Sequence, residues 1–241
     1  MATFVVQVEG ITGLSIDGSS TPTQDELTQF LKDGVIDVTN RTVMGSPLDA
    51  EKFVRESSTQ SSNGLDIGGA DILSVLREAN SDGDTDGSPA WRNCRNVPAG
   101  MQSRVVDSTS LHFASIYNPV YIIDNGGVVN VYPTPDGTND GFRVYYVNNE
   151  PKGDGIADEL AAGHTTIGYF PKDKVYLVII YASIKSLEAK MAEFAIDEED
   201  VELVQGITAN LATLKQQYEA AFARNLPPQP QQEQPQRERR D

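Results

Sequence analysis

The sequence predicts an α+β fold, with an N-terminal helix, a small antiparallel β-sheet region, a long helical hairpin and an extended C-terminal arm. Three observations support this prediction. Apolar residues recur with helical spacing near both ends of the 241-residue chain. In the middle, short apolar runs alternate with Gly, Asn, Asp and Ser clusters, as in strands joined by turns. The last segment, residues 226–241, has almost no apolar side chains.

The first helix is expected to begin after Thr23. Thr23 and Glu26 have the spacing of a capping box, in which each satisfies a backbone N–H group of the other. The apolar residues that follow fall on one helical face: Leu27, Phe30, Leu31, Val35 and Val38. This pattern predicts a helix from about Gln24 to Asn40.

The middle of the chain reads as strands. Val120–Ile123 and Val128–Tyr132 flank Asn125-Gly126, and Asn-Gly between two β-rich runs predicts a hairpin. Phe142–Val147 is expected to join this hairpin in one small antiparallel sheet. A short helix is expected between residues 98 and 117.

The helical hairpin is predicted near the end of the chain. Pro171 marks the start of its first helix, because a proline at the first helical position loses no hydrogen bond. Asp197–Asp200 places negative charge at the start of the second helix, where the helix dipole favours it. The two apolar stripes are Tyr176, Ile179, Ile180, Leu187, Met191 and Phe194, then Val201, Val204, Ile207, Leu211, Leu214, Tyr218 and Phe222.

These elements predict three regions. Residues 1–52 and 149–225 form a helical domain, residues 53–148 form a β-rich insertion, and residues 226–241 form an arm. The arm is rich in proline and glutamine and has no apolar set with which to fold alone. Its candidate contacts with a partner are Leu226, Pro227, Pro228, Pro230, Arg237, Arg239 and Arg240, the arginines by pairing with carboxylates.

Composition excludes several functions. The net charge of −16 disfavours a protein that grips DNA, although it suits a wall along which DNA slides without sticking. No apolar run approaches the roughly 20 residues of a membrane span. Cys94 is the single cysteine, so no intrachain disulfide forms. A packed thiol is the expected state of Cys94.

The segment SDGDTDG is a candidate calcium loop. Asp82, Asp84, Asp86 and Gly87 match the first, third, fifth and sixth positions of an EF-hand loop. The twelfth position should be a bidentate glutamate and is Asn93. The residues before the loop also read as a strand, Ile72–Leu76. A solvated turn is therefore the favoured interpretation, with weak calcium binding as the alternative.

No catalytic constellation is predicted. Ser110 lies near His112, but no Gly-x-Ser-x-Gly nucleophile elbow surrounds any serine. His112 and His164 are expected to be structural. No glycine-rich segment has the ending of a phosphate-binding loop. The sequence therefore predicts no enzyme and no cofactor.

The order of elements resembles the head-to-tail adaptor proteins of tailed bacteriophages, especially the tubular or gatekeeper ring proteins of short-tailed phages. The resemblance lies in Tyr169-Phe170-Pro171, the helix-forming run Val175–Ala182 and the acidic connection to a second long helix. The segments DELTQFLKDGVIDVTNR and SLHFASIYNPVYII also resemble virion structural proteins of aquatic phages. The β region is longer here than in the smaller adaptors.

The resemblance implies a homo-oligomeric ring at the head-to-tail junction of a virion, commonly of twelve copies and assembled in the host cytoplasm. In such a ring the helical part packs between neighbours, the C-terminal arm inserts into the portal protein, and the β part faces a tail nozzle or tail tube protein. DNA passes through the channel without specific binding, and no membrane is involved.

Two other classes stay open. One is a neck or tail-completion protein of a long-tailed phage. The other is a calcium-dependent binding module built around Asp82, Asp84 and Asp86.

Overall fold

The computed structural model describes residues 2–79, 90–135, 140–148, 150–155, 157–197 and 201–223. The helices are α1 (Phe4–Thr12), α2 (Gln24–Gly45), α3 (Gln102–Val106), α4 (Val175–Asp197) and α5 (Val201–Ala223). The strands are β1 (Val54–Glu56), β2 (Leu65–Asp66), β3 (Ile72–Glu78), β4 (Trp91–Asn93), β5 (Arg95–Asn96), β6 (Val120–Asp124), β7 (Val128–Tyr132) and β8 (Phe142–Val147). The predicted α+β class is confirmed.

The chain forms two compact units. The helical unit comprises Met1–Leu48, Ala161–Thr165 and Lys174–Asp241, and the β-rich unit comprises Asp49–Leu160 and Thr166–Asp173. Most of 149–173, placed in the helical domain by the sequence analysis, therefore groups with the β-rich unit. Side-chain contacts explain this grouping: Arg55 forms an ion pair with Glu150 at 2.7 Å, and the rings of Phe53 and Phe170 lie 5.4 Å apart.

Helix α4 is the central element of the helical unit. It packs against α1, α2 and α5 and buries residues on nearly every side, among them Leu177, Val178, Ala182 and Leu187. Helix α1, which the sequence analysis did not predict, starts with Phe4 and Val5 donating their N–H groups to the carbonyls of His164 and Ala162. These bonds satisfy donors that the start of a short helix leaves free.

Helix α2 starts as predicted and runs further than predicted. Thr23 Oγ1 accepts the N–H of Glu26 at 3.2 Å, and a Glu26 carboxylate oxygen accepts the N–H of Thr23 at 2.7 Å. Gly34 lies under α4, where an added Cβ would come within 3.0 Å of the Tyr181 ring. The absent side chain therefore allows α2 and α4 to approach closely.

The β-rich unit contains two four-stranded sheets, so the prediction of one sheet is wrong. The first sheet has the order β1-β8-β3-β4 and is antiparallel throughout. The second has the order β2-β7-β6-β5, in which β5 and β6 are parallel. The predicted hairpin forms as β6 and β7, and β8 pairs with β1 and β3 instead.

Each sheet covers apolar side chains. One cluster joins Val75, Phe142 and Val144 of the first sheet to Tyr121 and Val131 of the second. A smaller cluster forms under α3, from Val105, Ala114, Val120, Ile122 and Tyr132. The predicted short helix between residues 98 and 117 is therefore present as α3 and is anchored on the second sheet.

Candidate functional site

The most distinctive surface of the β-rich unit is a loop that surrounds α3, residues 99–118. It begins with a 3-10 turn at Ala99–Met101, continues as α3 and returns to β6 through a series of turns. The N–H of Ala114 donates to the carbonyl of Val105 at 3.0 Å, and both residues are buried. This bond closes the base of the loop and fixes which neighbouring side chains face outward.

The outward side chains are apolar. Val106 directly follows Val105 and is 56% exposed, and Phe113 directly precedes Ala114 and is 41% exposed. Leu111 at the tip is fully exposed, and Tyr117 is exposed near the end of the loop. Single exposed apolar residues are ordinary, but four within twelve residues of one anchored loop indicate an interaction surface.

Three arginines lie beside these apolar residues. The guanidinium carbon of Arg92 lies 5.1 Å from the centroid of the Tyr117 ring, within cation–π range. Arg95 Nε donates to Asn118 Oδ1 at 2.9 Å. Arg104 is exposed on α3. We call this set the arginine–apolar surface: Arg92, Arg95, Arg104, Val106, Leu111, Phe113 and Tyr117.

The charge of this surface is opposite to that of the chain. Residues 90–118 contain three arginines and one acidic residue, Asp107, a formal charge of +2, whereas the chain carries −16. The Asp107 carboxylate accepts the backbone N–H and the hydroxyl of Thr109, and these bonds hold the pKa of Asp107 below its usual value. Asp107 is therefore oriented by its own turn, and the loop keeps a net positive charge.

A shallow depression of about 490 Å³ opens between α3 and the tip of the loop. Its walls are Ser103, Arg104, Asp107, Ser110, Leu111 and His112. The depression places a guanidinium and an imidazole beside an apolar side chain. Such a lining fits a partner surface that presents carboxylates next to an apolar residue.

The calcium candidate falls outside the described residues, because Asp82, Asp84 and Asp86 lie within 80–89. The flanking elements are described, and they are the antiparallel strands β3 and β4, in which Glu78 pairs with Trp91. Asn93, at the position of the bidentate glutamate, pairs with Leu76 in β4. An EF-hand places its loop between two helices, so these flanks do not match that motif.

His164 and Cys94 hold structural positions in the described parts of the chain, whereas His112 is exposed. His164 Nδ1 accepts the N–H of Ala161 at 3.1 Å, within the turn that caps α1. Ser110 Oγ accepts the backbone N–H of His112 at 3.1 Å, so this serine is engaged in a turn. Burial raises the pKa of the Cys94 thiol to about 12, because the thiolate would lose its hydration. The expected packed thiol is confirmed.

The predicted arm residues, from Leu226 to Arg240, also lie outside the described residues. The described part of the hairpin shows a difference between its two ends. Leu211, Leu214 and Tyr218 of α5 are buried in the helical unit. Near the connection between α4 and α5, Leu203 is exposed and Val204 and Ile207 are only half-buried.

The arginine–apolar surface was not predicted from the sequence. A signal was present, because Arg92, Arg95 and Arg104 lie close together in an acidic chain. The spacing of Val105, Val106, Leu111 and Phe113 does not show which of them face the sheet. That assignment depends on the bond between Ala114 and Val105, which joins residues nine positions apart.

The described residues form neither a candidate metal cluster nor a membrane-spanning helix. Across the segments described above, no group of three or more His, Cys, Asp or Glu side chains is arranged to hold a metal ion. None of the described helices combines the length and apolar character needed to cross a membrane. A scan against protein-family models and a search of curated proteins each find no match to this chain.

Proposed function

We propose that this protein is a virion structural protein, a head-to-tail adaptor that forms a ring between the portal protein and the tail. The observation that carries the proposal is the incompletely covered apolar stripe at the connected end of the α4–α5 hairpin. Leu203, Val204 and Ile207 extend the apolar stripe in which Leu211 and Leu214 are buried, yet the described residues of the chain cover them only in part. A neighbouring copy in a ring supplies the missing cover.

The acidic charge supports the same function. With a net charge of −16, the walls of a ring of many copies repel the phosphate backbone, so DNA passes without specific binding. The composition of residues 226–241 supports an arm that orders on the portal, since proline-rich segments favour extended conformations that lose less entropy on docking. The β-rich unit is then available to a tail nozzle or tail tube protein.

The decisive test is ring formation on the portal of the same virus, imaged by negative-stain electron microscopy. We expect rings with the full chain. A chain truncated after Asn225 is expected to lose portal binding, because it lacks the arm with Arg237, Arg239 and Arg240. If the full chain does not bind the portal, the adaptor function is wrong. Rings that form without binding the portal favour a neck or tail-completion protein.

A point substitution tests the hairpin contact. Leu203→Asp is expected to prevent ring formation and leave the helix intact, because an aspartate in the first turn of a helix is favoured by the dipole. Ala212→Asp is the matched control, since Ala212 is exposed on the same helix and outside the incompletely covered stripe. Equal effects of the two substitutions would contradict the assigned contact.

A further inference from the structure

We propose that the arginine–apolar surface binds the opposite, acidic end of the second sheet in a neighbouring copy of this chain. The β-rich units would then associate head to tail. The inference deepens the proposed function and rests on it in one respect, the closure of the contacts into a ring. The pairing of two copies follows from the β-rich unit alone.

The acidic end is defined by the strand register. Asp66 of β2 pairs with Val128 of β7, and Val128 pairs with Asp124 of β6. The two carboxylates therefore lie in one row across three strands, and paired residues project from the same face of a sheet. Val128, which lies between the two aspartates in this row, is half-buried. This end thus presents carboxylates beside an apolar side chain.

The acidic end is held rigidly. Gly127 in the β6–β7 turn has a φ of +88° and packs so closely on Gly69 that an added Cβ would come within 2.8 Å of the Gly69 nitrogen. Asp66 Oδ1 accepts the N–H of Gly68 at 2.8 Å in the same loop. A preorganised surface loses little entropy on binding, which favours a specific contact.

The two surfaces lie at opposite ends of β6. Arg95 pairs with Val120, the first residue of β6, and Asp124 is the last. With a rise of about 3.3 Å per residue, the two ends are roughly 13 Å apart. The second sheet is therefore positive and apolar at one end and negative and apolar at the other. Two different complementary surfaces on one molecule produce a heterologous contact, which gives a ring when the rotation between copies closes and a filament when it does not.

A second copy is a better occupant than DNA. Leu111, Phe113, Val106 and Tyr117 give the surface an apolar centre, whereas a DNA site needs cations that follow the phosphates. Arg92 is stacked on Tyr117 and Arg95 is bonded to Asn118, so both are oriented by the loop. The chain itself supplies the complementary charge at its acidic end.

The first experiment measures self-association of the full chain by sedimentation velocity. We expect association that weakens at high salt, because exposed charge pairs are screened. Arg104→Glu and Leu111→Asp are each expected to weaken it by about tenfold or more. The matched controls are Lys172→Glu, an exposed cation of the same unit, and Leu48→Asp, a similarly exposed leucine. A monomeric wild-type chain, or equal effects of variants and controls, would overturn the inference.

Mixing two variants tests the head-to-tail geometry. Arg104→Glu blocks only the arginine–apolar surface, and Asp66→Lys blocks only the acidic end. Each variant alone is expected to associate at least about tenfold more weakly than the wild type, while their mixture is expected to regain association through the one intact pair of surfaces. If Asp66→Lys associates by itself like the wild type, the contact does not use the acidic end and the inference fails.

Two further outcomes separate the inference from its alternatives. If the chain binds a DNA duplex, and Arg104→Glu abolishes this binding while Leu111→Asp leaves it unchanged, the partner of this surface is nucleic acid and the inference is wrong. Rings on the portal that survive both substitutions would contradict the inference and leave the proposed function standing. If Arg104→Glu and Asp66→Lys associate when mixed but the wild-type chain does not bind the portal, the inference stands and the proposed function is wrong.

Discussion

Among the described residues, the largest fully buried side chain of the helical unit is Phe4, and the largest fully buried side chain of the β-rich unit is Arg77. The helical unit is stabilised by apolar burial around one helix, because α4 packs against three others. The described part of the β-rich unit has two apolar clusters, and it adds a buried cation that joins separate parts of the chain. We therefore expect the stability of the two units to respond differently to loss of a buried charge and to loss of buried apolar volume.

The contacts of Arg77 explain its burial. Its guanidinium donates to the carbonyls of Pro133 and Glu78, at 2.8 and 2.7 Å, and forms an ion pair with Asp140. The side chain thus joins β3 to Pro133 and Asp140, which lie more than fifty positions later in the chain. A buried charge is tolerated when it is paired and its donors are satisfied, and removal of one partner leaves the rest uncompensated.

Arg77→Met should give the largest loss of stability. We expect the free energy of unfolding of the β-rich unit to fall by about 3–5 kcal/mol, because the ion pair with Asp140 and the hydrogen bonds to the carbonyls of Pro133 and Glu78 would be lost together. The measurement is urea unfolding followed by fluorescence of Trp91, the single tryptophan of the chain.

Arg55→Met is the matched control for Arg77→Met. Arg55 pairs with Glu150, whose side chain is 61% exposed, so a loss of at most about 1 kcal/mol is expected. If Arg77→Met costs no more than Arg55→Met, burial of the ion pair does not stabilise this unit.

Leu187→Ala tests the apolar side of the comparison. Leu187 of α4 is 1% exposed, and its truncation should lower the free energy of unfolding of the helical unit by about 3 kcal/mol. Leu203→Ala, at the incompletely covered stripe, should change the free energy of unfolding of the monomer by less than about 0.5 kcal/mol. Urea unfolding followed by far-ultraviolet circular dichroism measures both, and similar losses would mean that the stripe is covered within the chain.

Much of the helical unit could be predicted from sequence because its signals are local. The capping box at Thr23 and Glu26 and the three- and four-residue spacing in α4 and α5 act within a few turns. Helix α1 was missed for a physical reason. A nine-residue helix is marginal alone, and its first N–H groups are satisfied by the carbonyls of Ala162 and His164, far along the chain.

The β-rich unit was less predictable because strand pairing is not local. Alternating apolar residues identified β6, β7 and β8, but they do not specify partners. Strand β8 pairs with β1, whose residues lie about ninety positions earlier, as in the pair Val54 and Val147. The burial of Arg77 could not be predicted either. It depends on contacts with Pro133 and Asp140, which lie more than fifty positions later in the chain.

Thr39→Val should stabilise the helical unit by a smaller amount. Thr39 is 3% exposed, and its hydroxyl has no hydrogen-bond partner among the described residues. Valine has nearly the same shape and no polar group to desolvate, so we expect a gain of about 1 kcal/mol in the free energy of unfolding.

Thr28→Val, in the same helix, provides the contrast to Thr39→Val. The hydroxyl of Thr28 accepts the N–H of Ala162 at 3.1 Å and donates to the carbonyl of Gln24 at 3.0 Å. Its removal should cost about 1 kcal/mol. Both variants are measured by urea unfolding followed by circular dichroism. If both substitutions change the free energy of unfolding in the same direction, hydrogen bonding does not distinguish the hydroxyls of Thr28 and Thr39.

Glu150→Gln should have the smallest effect, and that effect should depend on pH. The hydrogen bond and charge of Arg55 hold the pKa of Glu150 below its usual value. A carboxyl with a lowered pKa stabilises the folded state above its unfolded pKa, and the contribution is lost as the pH falls through the lowered value. Because Glu150 is largely exposed, solvent screening limits the contribution to about 0.5 kcal/mol.

Urea unfolding followed by Trp91 fluorescence should therefore show a lower free energy of unfolding for Glu150→Gln than for the wild type at neutral pH, and no difference in acid. Glu51→Gln, at an exposed carboxylate of the same unit, is the control. A difference that persists in acid would assign the effect to packing. The exposed ion pair between Arg55 and Glu150 would then contribute nothing to stability, unlike the buried ion pair of Arg77.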